Sequence, residues 1–108
     1  MNEIDPHHLR TAAALLKAMA NERRLLILCQ LGQGEQCVGE LAGPVGLGQS
    51  ALSQHLAKLR AEGLVATRRQ GQTIFYRLAS AEVAAVIEVL AGLYCGRPAD
   101  NHPLQPET

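Results

Sequence analysis

The feature that most limits the fold is one change of rhythm in the middle of the chain. VGELAGPVGLGQSALSQHLAKLRAEGL carries apolar residues at helical spacing, broken by a glycine-rich turn. It runs straight into LVATRR and QTIFYRL, which are rich in β-branched and aromatic residues and flank Gln70-Gly71. The spacing predicts two short helices, a tight turn between them, and then a two-stranded hairpin that turns at Gln70-Gly71. In the first of these helices Val38, Leu41 and Ala42 share a side, and Gly43-Pro44 is expected to end it. A turn follows from Val45 to Gly48. The second helix places Leu52, Leu56 and Leu59 on one face and Ser50, Ser53, Gln54 and Lys58 on another, with Gly63 at its stop.

The flanks extend the same logic. Leu9, Ala12, Ala13, Leu16, Met19 and Ala20 recur at helical spacing and predict a helix over His8 to Ala20 with one apolar face. Asn21 is a natural N-cap, Glu22 suits the positive end of a new helix, and RLLILCQL is apolar nearly all round before Gly32 and Gly34, so the second helix should be buried with Cys29 inside it. Ser80 caps a last helix, AEVAAVIEVLAGLYC, with an apolar stripe of Val83, Val86, Ile87, Leu90 and Leu93. The fold expected is mainly α: a winged helix-turn-helix of about five helices with a two-stranded β-hairpin wing. Residues 1–95 form the domain. Residues 96–108, GRPADNHPLQPET, carry three prolines and little to bury, and read as a flexible tail.

A winged helix-turn-helix reads DNA by presenting short hydrogen-bonding side chains from its second helix to base edges in the major groove. Gln49, Ser50, Ser53, Gln54 and His55 supply that chemistry. Lys58, Arg68 and Arg69, with Gln70 and Gln72 at the wing, are placed to serve phosphates or the adjacent minor groove, adding affinity rather than sequence choice. The whole chain has a formal net charge of zero, which lacks the high pI of many nucleic-acid binders. The distribution differs from the total. Between Gln49 and Leu78 stand Lys58, Arg60, Arg68, Arg69 and Arg77 against Glu62 alone, a polarity able to orient the chain on a polyanion. The partner expected is a double-stranded DNA operator. No apolar run approaches the ~20 residues of a membrane span, and MNEIDPHHLR lacks the apolar centre of a signal peptide, so no membrane partner and a cytoplasmic location are expected.

The segment from VGELAG to FYRL closely resembles the helix-turn-helix and wing of the ArsR/SmtB family of bacterial repressors, and LLKAMANERRLLIL is similar to the family's lead-in; the resemblance covers about residues 9 to 95. It implies a homodimer whose first and last helices form the interface and which leaves its operator when an inducer binds. The Ser usual at the cap of the reading helix is Gly48 here.

The inducer is where the three cysteines matter. Cys29, Cys37 and Cys95 contain no C-x-x-C, so neither a disulfide scaffold nor a four-ligand zinc module is indicated. The family's thiolate metal branch has C-V-C on the third helix, where this chain has Cys37-Val38-Gly39. Its other metal branch uses Asp and His on the last helix, which here offers only Glu82 and Glu88. The chain is similar to the persulfide-responsive repressors of the SqrR, BigR and HlyU type, which carry one cysteine on the second helix and one ending the last. Cys29 in ILCQL and Cys95 in LYCGRP match those positions. The resemblance implies that reactive sulfur species act as inducer: one thiolate attacks a persulfide sulfur and the second thiol captures it, bridging two helices. Taken alone, Cys29 reads as a small core hydrophobe, and it is the match of Cys95 that sets this reading aside. Cys37, at a helix N-terminus, is favoured by the helix dipole as a nucleophile, but it has no counterpart in the persulfide pattern and reads as an exposed, dispensable thiol.

Two alternatives stay open on the residues. A metal-responsive repressor remains, because His7, His8 and Cys37 have the right ligand chemistry for zinc or a softer ion across a dimer. So does a winged helix used only for protein contacts. A thiol-disulfide enzyme is disfavoured without a C-x-x-C, and no nucleotide loop, zinc-protease helix or serine elbow is present; no catalytic, cofactor or metal site is expected.

Overall fold

A computed structural model describes residues 4–94. Cys95 and the expected tail lie outside them. Five helices and three strands follow in the order α1 (Pro6–Met19), α2 (Glu22–Leu31), β1 (Gln36–Cys37), α3 (Val38–Val45), α4 (Gln49–Ala61), β2 (Val65–Gln70), β3 (Thr73–Leu78) and α5 (Ala81–Tyr94). The winged helix-turn-helix is present as expected.

Local chemistry sets most of the boundaries. Asp5 caps α1 by accepting the His7 N–H at 2.9 Å, with Pro6 in the first turn where its missing N–H costs nothing. That moves the helix start two residues ahead of His8. Asn21 caps α2 through the Arg24 N–H at 3.0 Å, and Ser80 accepts the Val83 N–H at 3.2 Å before α5. Gly43-Pro44 does not end α3. Pro44 sits in its last turn, where little of the hydrogen-bond ladder remains to be broken, and the stop is Gly46 at φ +68°, whose N–H reaches the Ala42 carbonyl at 2.9 Å. The hairpin turn also shifts by one residue. Gln70 pairs with Thr73, so the turn is Gly71-Gln72, and Gly71 takes the left-handed φ of +62° at the first turn position.

The wing differs from expectation in strand number. β1 adds to the hairpin to give a three-stranded antiparallel sheet in the order β1-β3-β2. Gln36 opposes Tyr76 and Cys37 opposes Phe75. Two residues are too few to show the alternation by which a strand is read from sequence, so β1 was hidden between Gly34 and the start of α3. Gln36 is anchored further by its Nε2, which donates to the Gln30 carbonyl at 2.9 Å at the end of α2.

The core joins α2, α3, α4 and α5. Ile27, Leu28, Leu41, Leu52, Leu56, Leu59, Leu64 and Ile87 are fully buried, each side chain worth about 1.5–3 kcal/mol over its exposed state. α2 is buried as expected, with Cys29 at 8% exposure. α1 is a correction. Met19 is buried and Leu15 and Ala18 pack on the core, but Leu9 and Leu16 are 52% and 58% exposed. A cleft of about 1030 Å³ opens along α1, lined by residues including Leu15, Ala18, Arg24, Glu62 and Val83. The apolar face read for α1 therefore lies largely outside the protomer core.

The two faces of α4 should respond differently to truncation. In urea denaturation, Leu56→Ala is expected to lower the unfolding free energy by about 2–5 kcal/mol, and Ser53→Ala to change it by less than about 0.5 kcal/mol.

Candidate functional site

The site begins with how α4 is held. Its three buried leucines pack inward, and Gln49, Ser50, Ser53, Gln54 and Lys58 are left exposed on the other side; His55 is half-buried at the edge. The N-terminus of α4 is entered through Gly48, which has extended backbone and no side chain to cap with, so the first-turn N–H groups of α4 are not capped by a side chain of that residue. A helix start with open donors beside short polar side chains has the chemistry to meet phosphate and base edges.

Behind α4 an ion pair closes the base of the motif. Arg24 Nη1 donates to Glu62 Oε1 at 3.0 Å and to the Ala18 carbonyl at 2.7 Å, joining the end of α1, the start of α2 and the end of α4. Glu62, the single acid of the basic third and the C-cap residue of α4, is thereby engaged.

The wing residues Arg68, Arg69, Gln70 and Gln72 are all exposed, but the two arginines differ. Arg69 Nε donates to the Gly71 carbonyl at 3.1 Å across the turn. Arg68 lies with its guanidinium 4.7 Å from the centre of the Phe75 ring, donates from Nε to Glu35 Oε1 at 2.8 Å and from Nη1 to Gln70 Oε1 at 2.8 Å. Register explains the cluster. Phe75 on the central strand faces Cys37 on one side and Arg68 on the other, and directly opposed residues share a face of the sheet. Glu35, two residues before Cys37, is on the same face. Glu35 and Phe75 had no sequence signal: their partner is more than thirty residues away in one case, and the strand that aligns them is two residues long.

The thiols separate. Cys29 is buried in α2, the helix on which α5 packs, and Cys95 lies outside the described residues. Cys37 is half-buried rather than exposed, because it ends β1 and caps α3; its N–H donates to Glu40 Oε1 at 2.9 Å. His7 and His8 start α1 with ring centroids 6.2 Å apart. Among the described residues, no three His, Cys, Asp or Glu side chains come together to hold a metal ion, and no helix is long and apolar enough to cross a membrane.

The arrangement has relatives. Residues 21–67 match the family profile described as bacterial regulatory protein, arsR family. The chain is 63% identical over 84 residues to the transcriptional activator HlyU of Vibrio cholerae, covering 78% of each. It is 46% identical over 89 residues to a biofilm growth-associated repressor of Agrobacterium fabrum, covering 82% of this chain and 75% of the relative. Its fold is similar to that of the transcriptional repressor BigR from Xylella fastidiosa, with TM-score 0.75, 41% identity, and coverage of 84% of this chain and 93% of the other.

Proposed function

This chain belongs to the ArsR family of bacterial transcriptional regulators, and from that premise we propose that it is a cytoplasmic homodimeric repressor that binds a pseudo-palindromic operator and releases it when reactive sulfur bridges Cys29 and Cys95. The observation that carries the DNA reading is the exposed polar face of α4, held outward by three buried leucines and flanked by a basic wing. Gln49, Ser50, Ser53, Gln54 and His55 read base edges; Lys58, Arg68, Arg69, Gln70 and Gln72 contact the backbone or the adjacent minor groove.

Homodimerisation is supported by apolar surface that the protomer leaves in water. Leu9 and Leu16 on α1, and Val89 on α5 at 61% exposure, need a partner surface. A two-fold dimer places two α4 helices in successive major grooves, about 34 Å apart.

Induction follows from thiol chemistry. One cysteine thiolate attacks the central sulfur of an organic trisulfide and expels one thiolate. The second attacks that transferred sulfur and expels the other. Two cysteine thiols become a bridge containing one extra sulfur, and the trisulfide is reduced to two thiols. An inserted sulfur lets cysteines join at a separation beyond the ~7 Å Cα limit of a direct disulfide. Cys29 lies on α2, the helix on which α5 packs, and the assignment of both Cys29 and Cys95 as the bridging pair rests on the family resemblance.

Three outcomes are expected. Leu16→Glu should sediment as a monomer and lose operator binding while its melting temperature stays near wild type, because Leu16 makes little of the protomer core; an unchanged dimer would remove α1 from the interface. In gel shifts, Gln54→Ala should narrow the gap between operator and random DNA by about 1–3 kcal/mol, while Arg69→Ala weakens both alike and flattens the salt dependence. Equal losses for operator and random DNA in Gln54→Ala would deny it a reading role. Treatment with glutathione trisulfide should add one sulfur less two hydrogens to the mass and weaken operator binding by about 1–3 kcal/mol. Cys29→Ser or Cys95→Ser should bind DNA without responding, and Cys37→Ser should respond normally. Loss of response in Cys37→Ser alone, or release of DNA by zinc from the Cys29/Cys95 double variant, would replace the sulfur reading with a metal-responsive one.

A further inference from the structure

Arg68 sits among the wing residues proposed to contact DNA, yet an anion already occupies it. The Glu35 carboxylate lies 2.8 Å from its Nε, Gln70 takes Nη1, and Phe75 supports the guanidinium from below. The pair is neither buried nor fully in water: the side chains of Arg68 and Glu35 are 47% and 27% exposed. An ion pair so exposed to water is weak, so a phosphate can exchange with it. While it holds, Glu35 cancels the charge of one of the five basic residues between Gln49 and Leu78.

We propose that Glu35 is a built-in competitor for DNA at the wing: its carboxylate occupies Arg68 in the free protein and must be displaced before Arg68 takes a phosphate. The inference rests on the DNA-binding reading above. Nothing in the competition depends on base sequence, so Glu35 sets the strength of backbone binding on any duplex. Phe75 and Gln70 keep the guanidinium in one place through the exchange, so that only the anion changes.

The geometry limits what else Glu35 is for. Glu35 lies between Gly34 and the two-residue β1, and the backbone there is already secured by the Gln36 side chain on the Gln30 carbonyl and by the pairing of β1 with β3. The ion pair adds little to those restraints, so its larger consequence is electrostatic.

Glu35→Gln keeps size and hydrogen-bonding ability and removes the charge. Fluorescence anisotropy on a random-sequence duplex, over a series of salt concentrations, reads the result. Glu35→Gln should bind about 3- to 5-fold more tightly at low salt, the upper bound being about 1 kcal/mol at 1.4 kcal/mol per tenfold. Its plot of log affinity against log salt should be steeper by about one ion, because the Arg68 contact then releases a counterion without freeing a carboxylate. Arg68→Gln should bind more weakly with a shallower slope, and adding Glu35→Gln to it should have no further effect. Thermal melts by circular dichroism should place all three variants within a few degrees of wild type. Unchanged or weaker binding by Glu35→Gln with an unaltered slope, or an equal gain in the Arg68→Gln background, would overturn the proposal and leave Glu35 as a strut for the wing. Failure of the wild-type protein to bind any duplex in a salt-dependent way would instead remove the DNA reading itself.

Discussion

Leu52, Leu56 and Leu59 are fully buried, and because they lie on one face of α4 they leave that helix no freedom to rotate. A rotation that exposed them would cost about 1.5–3 kcal/mol for each. The opposite face, with its serines and glutamines, is thereby fixed outward by the same packing that stabilises the protein. The Arg24–Glu62 pair fixes the far end of α4 against α1 and α2. The orientation of the surface proposed to meet DNA is in this sense a property of the core, and core substitutions should affect it before any proposed contact residue is touched.

The wing is positioned by a different device. Phe75 on the central strand is flanked by Cys37 and Arg68, and β1 continues directly into α3. The two residues of β1 therefore connect the sheet to the first helix of the helix-turn-helix on one side, and through Gln36 to the end of α2 on the other. α2 carries Cys29. A shift of α2 against its neighbours has a short covalent and hydrogen-bonded route to the wing, through Gln30, Gln36 and Glu35, in addition to any route through a dimer interface.

Sequence periodicity carried the helices well, because each has a stripe several turns long and, for α2 and α5, a capping side chain one can name. It also carried the outward face of α4, since Leu52, Leu56 and Leu59 determine it by exclusion. The failures differ in cause. β1 spans a single repeat, and Gly43-Pro44 signals a stop by residue type although its position in the last turn decides the outcome; the α1 stripe is of another kind, a real apolar face whose Leu9 and Leu16 the protomer leaves exposed. Periodicity reports that a face is apolar and says nothing about which chain covers it. Glu35 and Phe75 were illegible for another reason, since both act through a cross-strand register with β2 that no local pattern encodes.

The zero net charge of the chain now has a physical meaning. A protein whose whole surface was basic would be drawn to any polyanion from a distance, and its affinity for random sequence would compete with its operator. Here five of the ten basic residues lie in α4 and the wing against Glu62 alone, and one of them faces an acid: Arg68 meets Glu35 from outside the basic third, while Glu62 within it is held by Arg24. At physiological ionic strength charges are screened beyond about 8 Å, so the field that DNA meets is local, not that of the whole molecule. On the proposed DNA reading, attraction then depends on α4 and the wing approaching the groove together, and contacts that form only at that range contribute more of the binding free energy than they would on a uniformly basic surface.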